Sequence, residues 1–376
     1  MTDWTKLNYQ DQLQAKLKWL GDLLSPLGDQ SLEVFESAPH SYRMRAEFRA
    51  WHEGEDTFYA MYEPGTSQTY GIRDFPPAST AIRALMPRLL DGIKATEILR
   101  KRLFRIEFLS ATTGEILVTL IYHKALDDQW KIAAETLAME LKINLIGRAK
   151  KTKILFGNDY VTENLNVGGS RYQMRQIEST FTQPNAGVNE QMVSWACTQA
   201  QDIGKKGVSD LLELYCGNGN FTLPLCKYFN KVLTTEISKG SIAALKWNMQ
   251  ANKIDNIQLA RLSAEEAAQA LDRERPFRRL SHVDLDSYEF STIFVDPPRA
   301  GVDEKTMELV RRFNNIIYIS CNPVTLKQNV EQIADSHEIT ATAAFDQFPF
   351  TPHLEAGVCL KRRSGSLQKN GLHTEA

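Results

Sequence analysis

The chain has 376 residues, long enough for two domains with sizeable cores, and the composition of an ordinary soluble globular protein. Its 44 basic and 46 acidic side chains leave a formal net charge of −2, so no global basic excess announces a nucleic-acid partner and any RNA binding must rest on a local patch. Five cysteines without Cys-x-x-Cys spacing argue against a zinc site, an iron–sulfur cluster or a disulfide framework.

Residues 1–20 mix Lys, Asp and Gln, unlike a signal peptide, and no apolar run approaches membrane-spanning length; a cytoplasmic protein without a membrane partner is expected. Leu13, Leu17, Leu20 and Leu24 recur at helical spacing and Pro26 closes the pattern, which predicts an amphipathic helix over 8–24. From Tyr42 to His52 the period becomes two. Arg43, Arg45, Glu47, Arg49 and Trp51 fall on one side, and Met44, Ala46, Phe48 and Ala50 on the other, a half-buried strand with a cationic outer face. A turn over 52–56 and a returning strand over 57–62 follow. Ser79 or Thr80 caps a predicted helix with Ile82, Leu85, Met86, Leu89 and Ile93 on its apolar face. Strands at 103–109 and 116–122, a helix at 127–141 and strands near Leu145 and Lys153 complete an α+β module.

The stretch 157–185, rich in Asn, Gly, Ser and Thr, reads as a loop and as the domain boundary. The expected division is 1–172, 173–363 and a polar tail, expected to be disordered, over 364–376. Beyond the boundary, strand-like and helix-like segments alternate to about residue 361, which predicts a doubly wound parallel sheet, a Rossmann-like α/β domain.

In such sheets the ligand lies beyond the carboxyl ends of the strands, so those ends are where chemistry is to be sought. Leu211 to Tyr215 is an apolar run that breaks at Gly217-Asn218-Gly219, a strand–glycine turn–helix signature in which backbone N–H groups can approach a ligand. The third glycine of the dinucleotide fingerprint is replaced by Thr222, which disfavours a pyrophosphate site. Glu236, at the end of the next strand, stands where an acid can hold ribose hydroxyls; turn and acid together suggest S-adenosylmethionine (SAM), while Glu236 alone reads equally as a solvated acid before a helix. Asp296-Pro297-Pro298-Arg299 holds a carboxylate rigidly at a third strand end, or merely stops the strand. Cys321, in Ser320-Cys321-Asn322-Pro323, ends a fourth and is a candidate nucleophile. A thiolate added to C6 of uracil makes C5 nucleophilic toward a methyl sulfonium, and a carboxylate must then remove the C5 proton. Glu355 is the candidate base; its other reading is an exposed acid at a strand start.

The chain resembles the tRNA (uracil-5-)-methyltransferases that form ribothymidine in the T-loop. The matching stretches are Tyr42-Arg43-Met44-Arg45-Ala46-Glu47-Phe48-Arg49, Phe181-Thr182-Gln183-Pro184-Asn185, Leu212 to Phe221, Phe294 to Arg299, Tyr318 to Pro323 and the segment at Glu355. The resemblance implies a SAM-dependent enzyme with Cys321 as nucleophile and Glu355 as base. It implies that Gln183, Tyr215, Asn220, Glu236 and Asp296, with Gly217 and Gly219 of the turn, contact SAM or shape its pocket. It also gives the N-terminal module an RNA-gripping task, with Arg43, Arg45 and Arg49 on phosphates. Phe104 matches an aromatic that the family sets against displaced loop bases, although alternation with Ile106 and Phe108 would put it in the core. The four-cysteine cluster and added β-barrel typical of ribosomal-RNA relatives have no counterpart, which favours the T-arm of tRNA, and RNAs with a similar stem-loop, as substrate. A monomer is expected. The rival readings are a ribosomal-RNA or nucleobase-amine methyltransferase and a tRNA-binding or folding protein without catalysis.

Overall fold

The computed structural model describes residues 4–28, 31–63, 66, 68–203 and 209–365. In chain order the first half contains helix α1 (Tyr9–Leu24), strands β1 (Leu32–Phe35), β2 (Arg45–Glu53), β3 (Asp56–Tyr62) and β4 (Thr69–Ile72), and helices α2 (Thr80–Ala95) and α3 (Glu97–Arg100). Strands β5 (Leu103–Ser110) and β6 (Ile116–Tyr122), helix α4 (Asp128–Leu141), and strands β7 (Asn144–Ala149) and β8 (Thr152–Phe156) complete it. A hairpin of β9 (Tyr160–Val167) and β10 (Ser170–Ile177) leads into the second half. That half contains α5 (Ala186–Ile203), β11 (Asp210–Leu214), α6 (Thr222–Leu225), β12 (Val232–Thr235), α7 (Lys239–Ala251), β13 (Ile257–Ala260) and α8 (Ala264–Leu271). It closes with β14 (Phe290–Val295), α9 (Glu304–Val310), β15 (Asn315–Ser320), α10 (Pro323–Glu331), β16 (His337–Phe345) and β17 (Glu355–Arg362).

Two sheets result. The first has the order β4-β3-β2-β5-β6-β7-β8. Phe48, Tyr59, Ile106, Phe108 and Leu120 on one face meet Ile82, Met86 and Leu89 of α2 and Trp130 of α4 in one apolar cluster, as the period-two and period-3.6 patterns require. Ser79 caps α2 by accepting the Ile82 N–H, and Asp127 caps α4 by accepting that of Trp130. The second sheet has the order β1-β16-β17-β15-β14-β11-β12-β13, every neighbour pair parallel except those made by β17. Its strands are nearly continuous apolar runs because helices cover both faces. The doubly wound sheet expected from the sequence is present, with α1 and β1 as additions: β1 pairs with β16, and Leu20 and Leu24 enter the core of this sheet.

Three elements differ from the sequence reading. The stretch expected as a loop forms the hairpin β9–β10, whose Val161, Leu165, Val167, Tyr172 and Met174 are buried; their Asn, Gly, Ser and Thr neighbours obscure the period of two. Strands β1 and β4, four residues each and without a fully buried position, carry too little pattern to be read. The helix after the glycine turn is only four residues long. The tail expected from residue 364 lies outside the described residues beyond 365.

Trp130 is fully buried over Gly147 of β7, where a Cβ would come within 2.1 Å of the indole. Gly147→Ala is therefore expected to cost about 1–3 kcal/mol through overpacking, read as a lower urea midpoint at unchanged slope.

Candidate active site

Strands β11 and β14 are neighbours from which the strand order runs outward in both directions, the switch point at which a doubly wound sheet opens a crevice. At the end of β11, Tyr215 has φ +62°, a left-handed conformation unusual for a side chain of its size, and it turns the chain away from the sheet. Gly217 (φ +56°) and Gly219 (φ +88°) continue the turn, closed by the Gly219 N–H donating to the Cys216 carbonyl at 2.9 Å. A Cβ on Gly217 would meet nothing within 4 Å, so its backbone faces open space; one on Gly219 would strike Leu245 and Leu223. The carboxylate of Glu236 accepts from Gly217 N (2.9 Å), Ile237 N (2.8 Å) and Ser238 N (2.7 Å). With three donors on about four lone-pair sites, it can still accept a ribose hydroxyl. A half-buried glycine with no neighbour where a side chain would stand, beside a fixed acceptor, fits an adenosyl group without a pyrophosphate. Asn220 exchanges two amide hydrogen bonds with Asn189 of α5, at 2.9 and 2.7 Å, which ties the turn to that helix.

Across the switch point, Asp296 follows β14 directly and receives Gln183 Nε2 at 3.5 Å; Gln347 Nε2 in turn donates to Gln183 Oε1 at 3.0 Å. Cys321 follows β15, and Glu355 begins β17. Ser320 pairs with Ala356 in the antiparallel ladder, so the next step of the register sets Cys321 against Glu355. Cys321 is half-buried, whereas the other four cysteines are buried.

The charges in this corner act on one another. Burial pushes Asp296 up to about 7 and, with the neighbouring Asp296 charge, Glu355 up to about 8. Burial, then Glu355 and Asp296, raise the Cys321 thiol to about 11, against a smaller opposite pull from Arg299. At neutral pH the resting site therefore holds a thiol and a mostly protonated Glu355. Beneath the glycine turn Glu213 is buried with Thr234 Oγ1 donating to it at 3.2 Å, and burial raises it to about 8.

The strand with the three arginines divides its labour, which corrects the single cationic face expected from the sequence. Arg45 donates to the carbonyls of Thr180 (2.9 Å) and Glu178 (2.8 Å) in the segment joining the halves, where Arg148 also grips the Glu178 carboxylate. Arg43, just ahead of β2, donates to the Arg45 carbonyl and lies 5.7 Å from the ring of Phe348. Arg49 alone faces the open side of the first sheet, against Trp51, Tyr62 and Phe104. A bulge in β5 between Leu103 and Arg105 takes Phe104 out of the alternation that buries Ile106 and Phe108. Its ring stacks on His123 at 4.2 Å and lines a cleft of about 370 Å³ with Arg49, Met61, Tyr62 and Arg105. His123 carries no signal in the sequence, since only the fold sets it beside Phe104. No described helix is long and apolar enough to cross a membrane.

A doubly wound sheet with a glycine turn, an acid held at the end of the next strand and a thiol–carboxylate corner at its switch point defines a SAM-dependent methyltransferase of the Rossmann-like class. Residues 8–363 match the family model described as tRNA (uracil-5-)-methyltransferase, and the chain belongs to that family. It is 52% identical over 362 residues to the tRNA/tmRNA (uracil-C(5))-methyltransferase of Neisseria meningitidis serogroup B, covering 95% of this chain and 99% of the relative. The protein of the same name from Acinetobacter baylyi is 50% identical over 94% of this chain and 98% of its own length. The fold is similar to that of the Pyrococcus abyssi tRNA (uracil-54, C5)-methyltransferase in complex with S-adenosyl-L-homocysteine, with TM-score 0.72, 20% identity and coverage of 95% of this chain and 84% of that one.

Glu213, Asp296 and Glu355 hold protons in the folded chain that the unfolded chain releases near the ordinary carboxylate value. Stability is therefore expected to fall as pH rises from about 5 toward the folded values near 7 to 8, by about 1.4 kcal/mol per pH unit for each group. Glu213→Gln is expected to remove one such contribution, seen as a flatter dependence in urea unfolding between pH 5.5 and 7.5.

Proposed function

We propose that the chain methylates C5 of the T-loop uridine at position 54 of tRNA, giving 5-methyluridine through a covalent adduct between Cys321 Sγ and uracil C6. The observation that carries the reading is the Ser320–Ala356 pair of one antiparallel ladder, which leaves Cys321 directly after one strand and Glu355 at the start of the other, beside Asp296 and the glycine turn. The relatives' names, which give tRNA and tmRNA as substrates, support the same chemistry on stem-loops of like shape. SAM, when bound, supplies an electrophilic methyl group.

Gly217 and Gly219 admit the adenosyl moiety, Glu236 accepts its ribose hydroxyls, and Tyr215, Asn220, Gln183 and Asp296 shape the pocket between the nucleoside and the thiol. The Sγ–H proton is first lost to solvent; addition of the thiolate to C6 then pushes charge onto C5 and its adjoining carbonyl, and C5 takes the methyl group as the sulfonium S–CH3 bond breaks and a neutral thioether leaves. Glu355, once ionised, removes the proton left on C5; the C6–S bond then breaks, the double bond re-forms and Cys321 leaves as thiolate. A base with a value near 8 is stronger than an ordinary carboxylate, which suits removal of a carbon-bound proton. The uridine must leave its stack to reach this corner, and the first sheet supplies what holds the displaced loop: the Phe104–His123 stack for bases, with Arg49 and Arg105 close by for phosphates.

The decisive experiment is incubation with SAM and a tRNA transcript containing 5-fluorouridine. Because fluorine on C5 cannot leave as a proton, a denaturation-resistant protein–RNA adduct is expected with the wild type and none with Cys321→Ala. No adduct, with RNA and SAM binding intact, would defeat the thiol mechanism.

The divided strand gives a second prediction. Arg49→Ala is expected to lower the salt dependence of tRNA binding by about one unit of slope. Arg45→Met is expected to leave the slope alone and to destabilise the fold by about 2–4 kcal/mol through two lost charge-assisted bonds. Equal slopes for wild type and Arg49→Ala would remove Arg49 from the RNA.

A further inference from the structure

The loop 346–354 connects β16 to β17 and ends at Glu355, and it is gripped from a distant part of the chain. Gln12 and Lys16 lie one turn apart on α1, on a single face. Lys16 Nζ donates to Asp346 Oδ1 at 2.6 Å and to the Phe348 carbonyl at 2.9 Å. Gln12 Nε2 donates to Asp346 Oδ2 at 3.0 Å, and its Oε1 accepts the Phe350 N–H at 3.3 Å. Gln12, Lys16 and Asp346 have side-chain exposures of 0, 1 and 0%. Both oxygens of the carboxylate and two backbone groups of the loop are thereby fixed in a dry interior.

Such a pair is a poor choice for stability alone, because apolar residues of similar volume serve a buried site as well or better. What it adds is direction. Phe350 has φ +59°, a conformation that a phenylalanine keeps only when its surroundings impose it. Tyr42 Oη donates to the Pro349 carbonyl at 3.4 Å, and the rings of His40 and Tyr9 lie against Phe350. At the other end Phe345 pairs with Glu355 across the ladder, so the path of the loop determines how Glu355 enters the crevice. Gln347, which reaches Gln183, sits directly after Asp346.

We propose that the buried Gln12–Lys16–Asp346 cluster is a positioning device for Glu355, making the N-terminal helix a working part of the proton-removal step. This rests on the reading of Glu355 as the base. Gln12, Lys16 and Asp346 are positioning residues, acting through the loop. Loosening the cluster is expected to slow proton removal from the methylated adduct while leaving thiol addition and methyl transfer in place.

The test uses the full-length protein, labelled SAM and an ordinary tRNA transcript with uridine at the target. Two variants are compared with the wild type: Lys16→Met/Asp346→Asn, which removes both charges together, and the milder Gln12→Met, which keeps the ion pair if the double variant does not fold. In folded variants turnover is expected to fall about tenfold or more with SAM affinity unchanged, and a methyl-labelled, denaturation-resistant adduct is expected to accumulate on ordinary uridine. Disturbed packing alone does not produce that trapped species. Wild-type turnover in a folded variant, or slow turnover with no trapped adduct, overturns the proposal. Glu355→Gln separates the two levels: absence of the adduct in that variant means that the reading of Glu355 itself has failed, whereas its presence there and absence in the cluster variants means that only the positioning role has.

Discussion

The antiparallel pairing of β17 against β15 is the contact on which the site depends. A purely parallel sheet would place every strand start at the far edge from the crevice. Reversing one strand brings the first residue of β17 to the same edge as the last residue of β15, and so sets a carboxylate beside a thiol. The glycine turn after β11 and the acid after β12 lie along that edge as ordinary strand ends. The corner combines four strand ends with one strand beginning, and only the latter needs a special loop to reach it.

Burial then sets the chemical character of the corner. The same exclusion of water that raises Cys321 and Glu355 makes the thiol reluctant to ionise and makes the carboxylate, once ionised, a strong base. Asp296 sharpens both effects by placing a further negative charge nearby when it ionises. The site thus favours its neutral form at rest, and the energy for creating charge must come from interactions with bound substrate.

Much of this was legible because the informative residues sit at the junction of two local patterns. Tyr215, Asp296 and Cys321 each follow an apolar run of strand length, and the alternation of such runs with helical spacing conveys the doubly wound sheet. Phe104 was harder, since a single bulge moves a residue to the opposite face and no periodic reading anticipates it. Arg43 and Arg45 share their alternation with Arg49, yet the segment joining the halves and the loop before Glu355, both far along the chain, take them up. Lys16 carries no signal in the sequence. Its partner lies 330 residues away, beyond the reach of any local pattern.

That separation has a consequence for how the protein is made. The seven-stranded sheet is built from a continuous stretch and can close while the ribosome is still translating the second half. Helix α1 and strand β1 are synthesised before it, but the strand that pairs with β1 and the core that α1 enters follow only after the seven-stranded sheet, roughly 15–60 s later at about 5–20 residues per second. Throughout that interval Leu20 and Leu24 of α1 wait without the core that they enter in the finished fold.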